Sequence, residues 1–251
     1  MCKSGAFVML GLCCGGAFAA SEEIQVYMDE MNKPGELGLD IHLNYVTSGN
    51  GVPDYPGAQA PLHVFRATPE FSWGLTPNFE LGAYLLTSSD YDGTVTVDGQ
   101  KLRLKYIATK NPDDKFFMGA NLEIGRVDYR LNQNPWNGEL KGILGYRTDR
   151  WTWATNANVD FKISGPVDSP ASLNLATKFA YMTSSDTQLG LESYNELGEL
   201  GNLGHLNDLS QTLFAVVDTK IGGWGINFGV GRGLTAASDR WLFKAVVSVP
   251  L

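Results

Sequence analysis

The sequence predicts an all-β fold, a transmembrane antiparallel up-and-down β-barrel of about 12 strands. Three observations point to it: a short apolar leader, strand-period alternation along the remaining chain, and aromatic residues gathered at the ends of the alternating segments.

The leader comes first. Lys3 is followed by an apolar stretch from Ala6 to Phe18, and Ala17-Phe18-Ala19 has the small-x-small form of a signal-peptidase site. Residues 1–19 are therefore expected to be a signal peptide, and the stretch is too short and Gly-rich for a spanning helix. A lipoprotein leader is the weaker alternative, because Leu12 stands before Cys13 where a small residue is wanted. All three cysteines, Cys2, Cys13 and Cys14, fall in this segment, so the mature chain has no disulfide, thiolate nucleophile or Cys-based zinc site. Removing residues 1–19 leaves 232 residues and moves the formal net charge from −8 to −9, which argues against nucleic acid as a partner.

Residues 20–35 read as an N-terminal periplasmic segment and residues 36–251 as one barrel domain, with no Pro/Ser linker or composition break inside it. After the leader, no apolar run approaches the ~18 residues of a spanning helix. Alternation recurs instead. Leu37, Leu39, Ile41, Leu43 and Tyr45 alternate with Gly38, Asp40, His42 and Asn44. Trp151, Trp153, Thr155, Ala157, Val159, Phe161 and Ile163 do the same in the middle, and Trp241, Phe243, Ala245, Val247 and Val249 at the end. Walking between turn signals gives twelve segments: 36–47, 62–74, 78–88, 100–108, 115–129, 136–147, 150–163, 172–182, 187–197, 210–220, 223–233 and 239–251. Their lengths suit strands that cross a bilayer, and the count is even, as in bacterial barrels. Connections alternate too: tight turns such as Leu75-Thr76-Pro77 and Thr148-Asp149 are interleaved with mostly longer loops such as 48–61, 89–99 and 198–209. This is the asymmetry of short periplasmic turns and long outer loops.

Alternation alone fits a soluble periplasmic sandwich or barrel equally well. Aromatic placement separates the two. With odd-numbered strands running outward, Trp73, Tyr106, Tyr146, Trp151, Trp153, Tyr181 and Trp224 collect at one end, and Tyr45, Trp136 and Trp241 at the other, all on the apolar parity. Trp and Tyr favour the membrane interface, whereas a soluble core has no reason to sort them to strand ends. A twelve-strand ring is also too wide to fill easily with Leu, Val and Ala, so the polar face belongs inside. The expected location is the bacterial outer membrane, with outer-membrane lipid and the barrel assembly machinery as partners.

By the same parity, the inward positives are Arg66, Lys101, Arg103, Lys105, Lys141, Arg147, Lys162, Lys178 and Lys244. The inward negatives are Asp40, Glu70, Glu80, Glu123, Glu139, Asp160, Glu192 and Asp218, and His42 lies among them. These charges read either as cross-strand ion pairs that fill the lumen or as a polar pathway that selects a solute. Lys101, Arg103 and Lys105 stand on one strand without an intervening acid, ready to favour an anion or to meet Glu80 and Glu123 on the neighbouring strands. Arg232 has the lipid-facing parity and is expected to snorkel at a strand end.

Catalytic patterns are poor. His42, His63 and His205 have no metal-ligand spacing, and no serine motif accompanies the Asp40/His42 pair, so His42 reads as a lumen hydrogen-bonding residue. Gly229, Gly231 and Gly233 lack the strand–loop–helix setting of a phosphate loop and read as relief of crowding inside a strand. No catalytic, metal or cofactor-binding residue is predicted, and no cofactor.

Several strings carry a family resemblance: Glu23-Ile24-Gln25-Val26-Tyr27, Thr68-Pro69-Glu70-Phe71-Ser72-Trp73-Gly74-Leu75-Thr76, Lys101-Leu102-Arg103-Leu104-Lys105-Tyr106, Asn227-Phe228-Gly229-Val230-Gly231-Arg232-Gly233-Leu234-Thr235 and Asp239-Arg240-Trp241. Together they resemble the outer-membrane barrel family named for the meta-cleavage pathway of phenol degradation. The resemblance spans most of the mature chain, transfers no catalytic residue, and implies a transporter-like link to uptake of aromatic compounds. The chain departs from the usual aromatic C-terminus of such barrels, ending in Leu251. The function expected is a passive channel or transporter for small molecules, aromatic ones among them, and not an enzyme. A structural or surface-interaction barrel using loop 48–61 is the alternative, and a barrel-embedded lipid hydrolase is the remotest.

Overall fold

In the computed structural model, residues 23–109 and 114–251 are described, so the expected signal peptide lies outside the described residues. The strands are β1 (Leu37–Ser48), β2 (Phe65–Gly74), β3 (Phe79–Ser89), β4 (Val95–Ile107), β5 (Phe116–Val127), β6 (Trp136–Arg147), β7 (Trp151–Ser164), β8 (Ser172–Met182), β9 (Thr187–Glu199), β10 (Asn202–Leu203), β11 (Gln211–Ile221), β12 (Trp224–Gly233) and β13 (Trp241–Val249). β10 is a two-residue piece paired only with the end of β9; the other twelve form the barrel wall. Each wall strand pairs antiparallel with its neighbours. β9 meets both β8 and β11, and β13 meets β1, so the ring is closed.

Side-chain parity fixes the register of this ring. Along the β1–β13 seam, Leu39, Ile41, Leu43 and Tyr45 stand opposite Val249, Val247, Ala245 and Phe243, while Asn44 stands opposite Lys244. A slip of one residue would turn Lys244 toward lipid, so only one register keeps both faces satisfied. The apolar partners face outward: Phe71, Leu102, Leu122, Leu140, Leu191 and Phe243 are exposed to the surroundings of the barrel. The expected belt of interfacial aromatics is present at the tight-turn end, where Phe79 packs on Tyr106 (ring centroids 5.0 Å apart), Phe116 on Tyr146 (6.0 Å) and Trp151 on Tyr181 (4.6 Å). At the other end Arg232 lies over the Trp241 ring at 5.0 Å, as a snorkelling residue should. An outward arginine placed between these belts is costly. We expect Leu102→Arg, on a residue flanked by Ala83 and Ile124, to lower unfolding stability in lipid by about 2–4 kcal/mol. Urea titration of folded against unfolded bands measures it.

One strand is longer than the alternation predicts. β4 starts at Val95 rather than near residue 100. A bulge against β3, between Leu86 and Thr87, skips Asp98 and reverses the parity. Val95 and Val97 face out before it, and Leu102 and Leu104 after it, so odd positions give way to even ones. The alternate glycines of β12 sit where crowding is severe. A Cβ on Gly231 would come within 2.5 Å of the Phe214 ring, and one on Gly229 within 3.0 Å of Val216.

The largest difference concerns the chain before β1. The sequence reading names residues 20–35 an N-terminal periplasmic segment and leaves open whether residues 20–34 enter the lumen as a plug. In the structure, residues 23–32 touch β3, β4, β7 and β13, strands spread around the whole ring, which only a segment inside the lumen can do. The segment enters beside the β2–β3 turn, where the Gly35 N–H donates to the Gly74 carbonyl at 2.8 Å. It passes so close to the wall there that a Cβ on Gly74 would lie 2.2 Å from the Lys33 carbonyl oxygen. The physical reason is that the lumen offers this segment apolar patches as well as polar partners. Val26 and Tyr27 pack with Ile107, Phe117, Ile143, Ala154 and Ala176, and Ile24 packs with Val46, Phe214, Val216 and Leu242.

A charged lumen occupied by an N-terminal segment

None of the eighteen lumen candidates faces out. His42, Arg66, Glu70, Glu80, Arg103, Lys105, Glu123, Lys141, Lys178, Glu192 and Lys244 are buried, and Asp40, Lys101, Glu139, Arg147, Asp160, Lys162 and Asp218 are partly so. They fall into separate networks rather than one continuous charged ring. Glu70 joins His42 (3.0 Å) to Arg103 (2.6 Å), and Arg103 reaches on to Glu80 at 2.7 Å. Lys141 pairs with Glu139 at 3.0 Å and more distantly with Glu123, which also accepts from Asn121 at 2.8 Å. On the far wall Glu192 contacts Lys178 at 3.2 Å and, more closely, Lys244, and Lys178 also meets Asp218 at 2.8 Å. Lys162 turns toward the loop residue Asp168 and Arg66 toward Gln59 of the loop after β1, so these two belong to the outer mouth. Asp160 accepts from Asn174 on the neighbouring strand. His42 hydrogen-bonds the Glu70 carboxylate, and both side chains are buried.

The residues that hold the segment are ones the reading of inward charges did not single out. Asn156 on β7 mimics a strand partner: its Oδ1 accepts from the Tyr27 N–H at 2.6 Å and its Nδ2 donates to the Tyr27 carbonyl at 2.9 Å. The Tyr27 hydroxyl donates to Glu23 at 2.5 Å and shares a hydrogen bond of 2.7 Å with the Tyr84 hydroxyl. Lys141 stands 3.9 Å from the Tyr27 ring centre, Lys105 5.4 Å and the Arg103 guanidinium 5.6 Å. Lys244 donates to the Ile24 carbonyl at 3.1 Å and Lys105 to the Glu30 carbonyl at 2.6 Å. Arg147 reaches Asp29 at 2.9 Å and Glu30 at 2.8 Å. Asn32 donates its N–H to Glu80 at 2.7 Å and its amide to Ser72 at 2.8 Å. Asn156, Tyr84 and Tyr27 carry no charge, so a search for inward charges passes over them. For Asn156 and Tyr84 the one sequence signal is inward parity at a polar or aromatic strand residue.

The loop after β1 folds over the outer mouth. Tyr55 donates to the Tyr129 carbonyl at 2.7 Å, and Gln59 reaches Asp90 at 2.5 Å. Burial, with Tyr129 beside it, pushes the Tyr55 hydroxyl up to about 12, so it remains a donor at any physiological pH.

No family model matches the chain, and no curated protein does. Solved structures do. The KdgM porin is 13% identical, with a TM-score of 0.56, covering 85% of this chain and 99% of its own. The COG4313 outer membrane channel from Pseudomonas putida F1 is 10% identical, with a TM-score of 0.59, covering 90% and 99%. The NanC porin is 11% identical, with a TM-score of 0.55, covering 85% and 98%. At these identities the likeness is one of fold. It is the fold of outer-membrane β-barrels, as the alternation predicts.

Proposed function

We propose that this chain is a passive outer-membrane channel for small molecules, closed in the described conformation by its own residues 23–32. The observation that carries the reading is the lumen itself. Eleven of its twelve wall strands place a charged side chain on the inward face, with β12 contributing Asn227 and glycines, unlike a packed core, and the material filling it is a segment held by hydrogen bonds, ion pairs and small apolar patches. Such contacts are individually worth about 1 kcal/mol net and can be exchanged for water or solute. The finer reading, passage of aromatic compounds, is supported by the sequence resemblance to the barrel family named for phenol degradation. The fold relatives include a KdgM porin structure in complex with disordered oligogalacturonate, which is consistent with solute passage through barrels of this shape.

Planar-bilayer recording tests the proposal. Wild-type protein should show low conductance with rare openings. Val26→Asp sets a carboxylate among Ile107, Phe117 and Ile143 and should eject the segment, raising mean current at least tenfold. Absence of conductance in both, together with normal solute uptake by a deletion strain, would remove the channel reading.

A further inference from the structure

We propose that the space now filled by the Tyr27 side chain is the channel's solute site, and that it takes a small aromatic carboxylate for which Tyr27 is an intramolecular stand-in. This rests on the channel reading above. The occupant defines the chemistry of the site. An aromatic ring is surrounded by three cations, Lys141, Lys105 and Arg103, and its hydroxyl meets that of Tyr84. Cations around a ring favour its π-face, most of all where water is excluded. Lys141 and Arg103 keep ion-paired wall carboxylates when the segment leaves, whereas Lys105 keeps Glu80, opposite it on β3, only as a neighbouring charge and loses its direct contacts. Among the described residues, the contacts of this buried lysine are the Glu30 carbonyl and the Tyr27 ring, both on the segment. Arg147 likewise loses Asp29 and Glu30.

Charge gives the second half of the case. Residues 23–32 contain Glu23, Asp29 and Glu30 and no base. Withdrawing the segment therefore removes three carboxylates from the lumen and leaves two wall cations without the anionic or carbonyl oxygens they now contact. An entering molecule that supplies both a ring and a carboxylate replaces what left. A neutral aromatic supplies only the first, and an aliphatic acid only the second.

The test uses the full-length chain carrying Tyr27→Ala, in which the ring space is vacated, with 4-hydroxybenzoate, cyclohexanecarboxylate and phenol as probes. Calorimetry in detergent should show 4-hydroxybenzoate binding at least tenfold more tightly than either of the other two. It should also bind at least tenfold more tightly than it does to the intact chain, where the tethered tyrosine competes at high effective concentration. Lys105→Met added to Tyr27→Ala should cost a further tenfold, with heat-modifiable gel mobility reporting that the barrel is folded. Equal affinity for the three probes, or equal affinity of 4-hydroxybenzoate for the intact and Tyr27→Ala chains, overturns the proposal. Bilayer current separates this from the channel reading. Conductance that 4-hydroxybenzoate does not block more readily than cyclohexanecarboxylate sinks the solute site and leaves the channel standing. Selective binding without any conductance does the reverse.

Discussion

Replacing Asn156 with leucine should raise the open probability of the barrel roughly a hundredfold. The wild-type amide satisfies both the N–H and the carbonyl of Tyr27 and is fully buried. Leucine has similar bulk but neither donor nor acceptor, so both backbone groups of Tyr27 would be left unpaired in the docked state. Two such losses amount to about 3 kcal/mol against docking, and every 1.4 kcal/mol shifts a two-state equilibrium about tenfold. The undocked state is spared, because its backbone is free to bond water. Single-channel recording reads the effect directly. Unfolding stability of the barrel wall, followed by gel mobility, should move far less than channel opening. An unchanged open probability would show that the segment is not the gate.

The second large effect is on the wall. Glu192 is the shared partner of Lys178 and Lys244, and all three are buried. In Glu192→Ala, Lys178 keeps Asp218, but Lys244 is left, among the described residues, with the Ile24 carbonyl, the Tyr194 hydroxyl and the faces of the Tyr194 and Phe214 rings. Stranding a buried cation in this way costs about 3–5 kcal/mol. The double change Glu192→Ala with Lys244→Ala removes the stranded charge and should recover much of that loss, a coupling that a double-mutant cycle in urea unfolding measures. Equal destabilisation by the single and double changes would mean that Lys244 is solvated and the pair contributes little.

Lipid explains why so much of the fold is legible. It demands an apolar residue at every second position of each spanning strand, so β1, β7 and β13 announce themselves within two residues of their observed bounds. Where lipid stops imposing its rule, the sequence falls silent. The first residues of β4 precede a parity reversal at Asp98, and strict alternation ends there. Inward charges are equally legible as positions, since they are what remains when the apolar parity is removed. Their pairing is less so. Lys178 and Asp218 lie on β8 and β11, with β9 between them, and only the full register brings them together. The segment 23–32 is the least legible part. Its apolar residues Ile24, Val26, Met28 and Met31 span too short a stretch to tell a lumen segment from a strand, and its partners Asn156 and Tyr84 look like any polar or aromatic strand residue.

The seam between β1 and β13 bears on how the molecule is assembled. Every other neighbouring pair of wall strands is joined by the next stretch of chain, but β1 and β13 are the first and last strands of the barrel and pair across its seam. The segment leads directly into β1, and Lys244, which holds its Ile24 carbonyl, lies on β13. The lumen's occupant is thus tethered to one lip of the unfinished ring and bonded to the other. Closing the seam therefore also brings the Lys244 ammonium to the Ile24 carbonyl, so the joint between the first and last strands and the seat of the segment share one contact.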